Sequence, residues 1–202
     1  MKTNMLTLSS LVKWSVCGDG YVGYSTHNKN AHYSVSRAPE HRDYIEYIYS
    51  YLLNVPDCSV RVDEYTRNDN GKTVVDLRTS SHPLFTRIRE RQYISNHKVI
   101  DPHMLTLLNW EWMALWYQDD GSITYNQKGI PIVKLSTCAY SYPEQEFLRK
   151  AIYEKLNIVF NINRSSRGLY QLNLRRADQN HFFSHLHSFV MPSYYYKCPL
   201  SL

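Results

Sequence analysis

Apolar residues recur along this chain in two rhythms, one helical and one strand-like, and the order in which the rhythms alternate is repeated. Leu8, Leu11, Val12, Ser15 and Val16 fall at helical spacing and predict a helix over about residues 5 to 18. Two short strands come next, near 21–27 and 31–37, with Asn28-Lys29-Asn30 as the turn. Pro39 opens a helix through about residue 53, with Tyr44, Ile45, Ile48, Tyr49 and Leu52 on its apolar side, and Pro56-Asp57 closes it. Asn68-Asp69-Asn70-Gly71 joins strands near 58–67 and 72–79 in a hairpin, and a helix near 83–91 completes the series. After a connector near 92–103 the series runs again. A helix near 110–119 leads to strands near 122–126 and 131–137, turned by Gln127-Lys128-Gly129. Pro143 opens a helix through about 156, with Phe147, Ala151, Ile152 and Leu156 on one side. Strands near 158–164 and 168–175 flank Ser165-Ser166-Arg167-Gly168, a helix near 177–189 succeeds them, and a tail begins at Met191. The chain thus reads helix–hairpin–helix–hairpin–helix, twice.

The repeat carries a chemical signature at the end of each first helix. Leu11-Val12-Lys13-Trp14-Ser15-Val16-Cys17-Gly18-Asp19-Gly20 runs into Tyr21-Val22-Gly23-Tyr24. About half a chain later, Met113-Ala114-Leu115-Trp116-Tyr117-Gln118-Asp119-Asp120-Gly121 runs into Ser122-Ile123-Thr124-Tyr125. Either stretch alone is an ordinary Asp-Gly turn after a helix. Together they indicate an internal duplication with one carboxylate per half, able to meet at a pseudo-two-fold axis. Two such carboxylates form a cradle for metal ions that cut phosphodiesters.

Composition narrows the field. With 202 residues, 43% hydrophobic and 20% charged, the chain has the make-up of a folded protein rather than a disordered one. A net charge of +5 suits an anionic partner. Eighteen tyrosines supply flat apolar faces with a hydroxyl, useful against bases and phosphates or simply at core edges. Cys17, Cys58, Cys138 and Cys198 show no C-x-x-C pairing, which points to packing residues in a reducing compartment. No apolar run reaches eighteen residues, so no membrane span is expected. Met1-Lys2-Thr3-Asn4-Met5 leads into an amphipathic helix rather than a secretory segment, so the expected setting is intracellular, whether organelle, bacterium or phage.

The hairpins present candidate contacts. Gln171, Asn173 and Arg175 alternate with Tyr170, Leu172 and Leu174; Asn161 and Asn163 alternate with Phe160 and Ile162. Lys72, Val74, Asp76 and Arg78 alternate with Thr73, Val75 and Leu77, and Arg61, Asp63, Tyr65 and Arg67 lie across that hairpin. Lys134 on the strand near 131–137 and Arg167 in the last turn join them. Any half-exposed antiparallel sheet has a polar face. A face rich in Arg, Lys, Asn and Gln, repeated over several hairpins, also fits a DNA major groove, where Arg reads guanine and Asn or Gln reads adenine.

The chain resembles LAGLIDADG homing endonucleases in the single-chain, two-motif form, and within them the subgroup of the yeast mitochondrial omega-intron endonuclease. The likeness rests on Gly18-Asp19-Gly20-Tyr21-Val22, Leu115-Trp116-Tyr117-Gln118-Asp119-Asp120-Gly121, Lys98-Val99-Ile100 and Pro192-Ser193-Tyr194-Tyr195-Tyr196-Lys197-Cys198-Pro199, in that family's order. It implies an α+β fold of two pseudo-symmetric αββαββα halves, residues 1–92 and 93–202. These would form antiparallel β-saddles joined through two packed motif helices in one compact monomer. Asp19 and Asp120 match the catalytic, metal-binding aspartates, with the backbones of Gly18 and Asp119 beside them, and Gly20 and Gly121 let the chain leave the helix at once. Asp119 rivals Asp120 but lacks the following glycine. Lys98 and Lys197 match the auxiliary catalytic lysines, His97 replacing Lys98 if the alignment slips by one. The implied activity is Mg²⁺-dependent cleavage of both strands of a long, near-asymmetric DNA site across the minor groove, leaving short 3′ overhangs, with Mn²⁺ also serving. The other readings are an RNA maturase acting on an intron, or a cleavage-inactive DNA-binding protein.

Several features stand apart from that pattern. Lys13, Trp14, Trp116 and Tyr117 are bulky where closely packed motif helices use small residues such as Ser15, Gly18 and Ala114. Tyr117-Gln118-Asp119-Asp120 also reads as a polymerase Y-x-D-D motif, but a duplicated chain of this length cannot supply fingers, palm and thumb. The histidines form no H-N-H cluster, and the i, i+4 pair His181/His185 is expected to be a packing or solvated face rather than a metal pair.

Overall fold

A computed structural model describes residues 5–164 and 168–199, so Arg167 and the two residues before it lie outside the described residues. The first series is α1 (Met5–Cys17), β1 (Tyr21–Tyr24), β2 (Ala31–Arg37), α2 (Arg42–Leu52), β3 (Val60–Thr66), β4 (Thr73–Thr79) and α3 (Pro83–Gln92). A two-strand hairpin comes next, β5 (Tyr93–Ile94) and β6 (His97–Lys98), then the short α4 (Pro102–Leu105). The second series is α5 (Trp110–Asp120), β7 (Gly121–Tyr125), β8 (Pro131–Leu135), α6 (Tyr142–Leu156), β9 (Phe160–Arg164), β10 (Tyr170–Leu174) and α7 (Gln179–Leu186). Both are αββαββα. The chain forms two compact units, one running to Tyr93 and including Met191–Ser193, the other Ile94–Val190 together with Tyr194 onward.

Each unit holds one four-stranded antiparallel sheet, ordered β1-β2-β4-β3 in the first and β7-β8-β10-β9 in the second. The hairpin between β5 and β6 turns through Ser95 and Asn96, both left-handed (φ 48° and 66°), as a two-residue loop with the twist of its strands requires. Asn109 caps α5 by accepting from Trp112 N at 2.9 Å, and Ser141 with Glu144 forms a capping box at the start of α6. In the first unit Asp43 on α2 accepts from Ser193 Oγ (2.6 Å) and Ser193 N (3.0 Å), which ties the tail to that helix.

Burial corrects two readings of periodicity. From Ser10 to Gly18 every residue of the first helix and its exit is buried, Lys13 included, so this helix is a core element rather than an amphipathic one. On α6 the inward residues are Gln145, Leu148, Ile152 and Leu156, whereas Phe147 is 62% exposed. Gln145 displaces it for a reason the pattern of apolar residues does not carry. Its Nε2 lies within 3.2 Å of the carbonyls of Thr137, Tyr140 and Tyr170, and its Oε1 accepts from Thr137 Oγ1 at 3.0 Å. A leucine there would take this donor and this acceptor out of a buried polar site, and a buried polar group left short of a partner costs about 1–3 kcal/mol. Gln145→Leu should therefore destabilise the protein by about 3 kcal/mol in a denaturant titration, although it makes the core more apolar.

Asp178 organises the edge of the second sheet. Its carboxylate accepts from Val159 N (2.9 Å) and holds the Arg175 guanidinium in a two-pronged pair at 2.8 and 2.9 Å. Burial pushes its pKa up, but the Arg175 fork and the Val159 N–H outweigh burial and leave it below the ordinary carboxylate value. A depressed folded pKa contributes stability that is present above the unfolded value of about 3.9 and is lost as pH falls through the folded one. Asp178→Asn should thus be less stable than the parent at neutral pH, and the gap should close on acidification below about pH 4 when melting temperatures are followed against pH.

Candidate active site

In the first unit the turn from helix to strand is tight. Gly18 N and Gly20 N both donate to Ser15 O, at 3.1 and 2.8 Å, so the backbone folds back over the last turn of α1. A Cβ on Gly20 would lie 2.5 Å from Ser15 Oγ and 2.8 Å from the Ser15 carbonyl. The glycine is demanded by this close approach, not by a left-handed φ. Asp19 is thereby turned outward, with its side chain 59% exposed.

Facing it is a residue absent from the sequence-predicted candidates. Arg37, at the end of β2, is buried and places NH1 3.3 Å from Asp19 Oδ2. The same nitrogen donates to Ser36 O at 2.8 Å, and the guanidinium lies 4.4 Å over the Tyr44 ring. Arg37 shares its face of the strand with Ala31, Tyr33 and Val35. A charge at an inward position of an alternating strand was the available signal.

The second unit repeats the turn with different side chains. Asp120 is the last residue of α5, and Gly121 N donates to Tyr117 O. A Cβ on Gly121 would collide with the Tyr117 ring and carbonyl. Trp116 Nε1 donates to Asp120 Oδ2 at 3.0 Å, and Ser136 N donates to the Asp120 carbonyl at 2.9 Å. Lys197 comes to the same helix end, donating to Gln118 O at 2.7 Å and reaching Asp119 O at 3.4 Å, with its ammonium 5.5 Å from the Tyr194 ring centre. A cation there complements the negative end of the helix dipole. The Asp119 carbonyl, expected as a metal ligand, thus faces the Lys197 ammonium. Lys98 is half-buried on β6 beside the exposed His97.

Beyond each turn the sheets share a register. Tyr21 pairs with Ser34, Ser34 with Arg78 and Arg78 with Arg61. Ser122 pairs with Lys134, Lys134 with Asn173 and Asn173 with Asn161. Each row begins two residues after its aspartate and crosses all four strands. Gln171 and Asn163 form the neighbouring pair. The row residues stand opposite in parity to the buried Val35, Leu77, Leu135 and Leu172, so they lie on the open face. Arg67 and Lys72 flank the hairpin turn at Gly71 (φ 67°), with Arg67 N donating to Lys72 O at 2.9 Å. Arg175 departs from expectation. It comes after β10 rather than lying within it, and Asp178 holds its guanidinium at the sheet edge. His181 and His185 pack on Trp110, with ring centres at 5.7 and 4.8 Å, and His185 Nδ1 is hydrogen-bonded to His181 O, which makes the pair a packing face.

A family pattern described as the LAGLIDADG DNA endonuclease family matches residues 15–182, from the first tight turn to α7. The chain belongs to that family. The protein MJ1098 of Methanocaldococcus jannaschii, itself uncharacterized, is 34% identical over 119 residues, 58% of this chain. The match spans less than half of that relative, 45% of its length. Among solved structures, the homing endonuclease I-WcaI bound to its DNA recognition sequence is similar with a TM-score of 0.75 at 18% identity, covering 96% of this chain and 87% of that one. I-DmoI in complex with DNA and Mn is similar with a TM-score of 0.57 at 16% identity, over 90% of this chain and 98% of that one, and has also been solved with DNA and Ca. At these identities the likeness is one of fold. It matches the two αββαββα series of this LAGLIDADG chain.

The Trp116–Asp120 bond separates two substitutions. Asp120→Asn retains an oxygen to accept the indole N–H, whereas Asp120→Ala removes that acceptor. Asp120→Ala should be less stable than Asp120→Asn by about 1 kcal/mol in thermal unfolding, the usual worth of one such bond.

Proposed function

We propose that this protein is a site-specific DNA endonuclease that cuts both strands of a long target, each half contributing one aspartate and one DNA-reading sheet. The observation that carries this reading is the repeated register. In both units a tight turn ends the motif helix in an aspartate, and two residues later a row of polar side chains begins across the open face of the sheet. A scissile phosphate at the aspartate would have its neighbouring base pairs against that row.

The donor chemistry fits a hard divalent cation such as Mg²⁺, with Mn²⁺ as a substitute. Among the described residues no three His, Cys, Asp or Glu side chains gather into a metal-holding group. Mg²⁺ is commonly bound by one or two carboxylates, with water and substrate phosphates completing the shell. Asp19 in the first unit and Asp120 in the second would each offer a carboxylate to such an ion, with the Gly18 carbonyl beside the first, while the Asp119 carbonyl beside the second is already met by the Lys197 ammonium. Such an ion supplies Lewis-acid polarisation of the phosphate and a water of lowered pKa.

The remaining roles fall to this chain's own residues. Arg37 fixes the Asp19 carboxylate on one side, and the Trp116 N–H fixes that of Asp120. Lys197, held at the end of α5, places a positive charge where negative charge grows on the phosphate, and Lys98 is the second lysine in that role. Arg61, Arg67, Lys72, Arg78, Lys134, Asn161, Asn163, Gln171 and Asn173 supply base and phosphate contacts, with cleavage across the minor groove leaving short 3′ overhangs. Arg167 belongs with them by its place in the sequence. Arg175 keeps an edge position, where its pairing with Asp178 competes with any phosphate.

The test is cleavage of a randomised duplex library in Mg²⁺ and in EDTA, with the ends sequenced. Discrete Mg²⁺-dependent staggered ends are expected from the parent. Asp19→Asn and Asp120→Asn should each lower double-strand cutting by at least about a hundredfold while leaving DNA affinity within a few-fold of the parent. A double variant that still nicks in Mg²⁺ would remove both residues from the site. Salt-sensitive binding to a folded intron RNA, with no cleavage of any duplex, would replace the nuclease reading with the maturase one.

A further inference from the structure

The open faces of the two sheets carry different kinds of polar group. Strands β1 to β4 contain no Asn or Gln, and on β3 and β4 their open face carries Arg61, Asp63, Asp76 and Arg78, beside Ser34 and Ser36 of β2. Strands β7 to β10 contain no Asp or Glu, and their open face is dominated by Asn161, Asn163, Gln171 and Asn173. Both properties belong to each unit separately and hold however the units are arranged.

In the first sheet the charges form a square. Arg61 lies directly across from Arg78, and Asp63 directly across from Asp76. Like charges facing each other across a ladder weaken a sheet. Here each arginine has a carboxylate two residues along its own strand, Arg61 Nε to Asp63 Oδ2 at 3.2 Å and Arg78 NH2 to Asp76 Oδ2 at 3.6 Å. Asp76 is buried, and Ser36 Oγ donates to its Oδ1 at 2.5 Å, so this carboxylate stays in place when its arginine swings away. Outward residues on one strand are separated by about 6.7 Å, close to two base-pair rises of about 3.4 Å.

The edges of base pairs sort these two faces. Guanine offers two acceptors, O6 and N7, to the major groove, and its cytosine offers an N4 donor. A guanidinium fork can take both guanine acceptors at once, and a neighbouring carboxylate can accept from the cytosine N4, so the two side chains together suit G·C best. Adenine offers one acceptor and one donor, the complement of a carboxamide. Asn161, Asn163 and Asn173 can each make that two-bond contact, whereas Lys134 adds a single cation to its row.

We propose that the target is compositionally asymmetric, with G·C pairs under the N-terminal sheet and A·T pairs under the C-terminal sheet. This rests on the reading of the protein as a sequence-specific DNA endonuclease, and it specifies the substrate further.

The experiment is selection of bound sequences by the full-length protein from a library randomised across both half-sites, in EDTA so that nothing is cut. Enrichment of G·C in one half-site and A·T in the other is expected. The double variant Arg61→Gln, Arg78→Gln should lose guanine preference roughly tenfold at positions in the G·C half alone. The double variant Asn161→Ala, Asn173→Ala should lose adenine preference in the other half alone. All four side chains lie on the open face, and unchanged melting temperatures would verify folding. A specific site with the same composition in both halves would overturn the inference while leaving the DNA-binding reading intact. So would an arginine variant whose preference changed in the A·T half. Binding with no sequence selection at all would overturn both.

Discussion

The closeness with which the chain passes over the last turn of each motif helix governs the strand and sheet beyond it. Gly20 sits against Ser15 and Gly121 against Tyr117, at separations that leave no space for a Cβ. The strand starts within a few residues of the helix end, so the turn sets its parity. Asp19 and Asp120 are held at the helix ends, and Tyr21 and Ser122 become the first outward residues of their sheets. A side chain at either glycine would push the strand away from the helix. A slip of one residue in the strand would send every outward group to the core face. The aspartates and the polar rows are therefore parts of one construction.

Within that shared backbone the two halves have diverged in side-chain chemistry. Asp19 faces a buried guanidinium that is stacked on Tyr44, whereas Asp120 accepts a neutral indole N–H from its own helix. An opposing cation and a neutral donor are electrostatically unlike, since the guanidinium already offsets the negative charge and the indole only orients it. The open faces differ too, with arginine and aspartate on β3 and β4 and carboxamides on β9 and β10. The duplicated register sets where a group stands, and the individual residue sets what it can recognise.

Polar groups inside each unit hold structure that the apolar count alone misses. Gln145 gathers two loop carbonyls and one from the start of β10, and Asp178 ties Val159 and Arg175 to the edge of the second sheet. Low local dielectric strengthens such contacts and makes their loss costly. Arg37 is sustained in its buried position in the same manner, by a ring face, a carbonyl and a carboxylate together.

The order of elements was legible in the linear sequence because it depends on neighbours a few residues away. Alternation in β4 and β10, Pro39 and Pro143 at helix starts, and Gly71 at a left-handed turn all act through local backbone geometry, so both αββαββα series and both Asp-Gly junctions could be read directly. The family resemblance implied roles for Asp19 and Asp120 through those junctions, and for Lys197 through the stretch from Pro192 to Pro199. The partner of each long polar side chain, by contrast, was settled by packing. Phe147 lies at the solvent and Gln145 in the core because carbonyls of Thr137, Tyr140 and the distant Tyr170 converge on one position. Arg175 turns to Asp178, and Arg37 reaches Asp19 across the intervening hairpin, because strand register brings together groups that are apart along the chain. Periodicity assigns a residue to a face, but a hydrogen bond or ion pair needs a particular atom within about 3 Å, and that distance is set by how the elements pack.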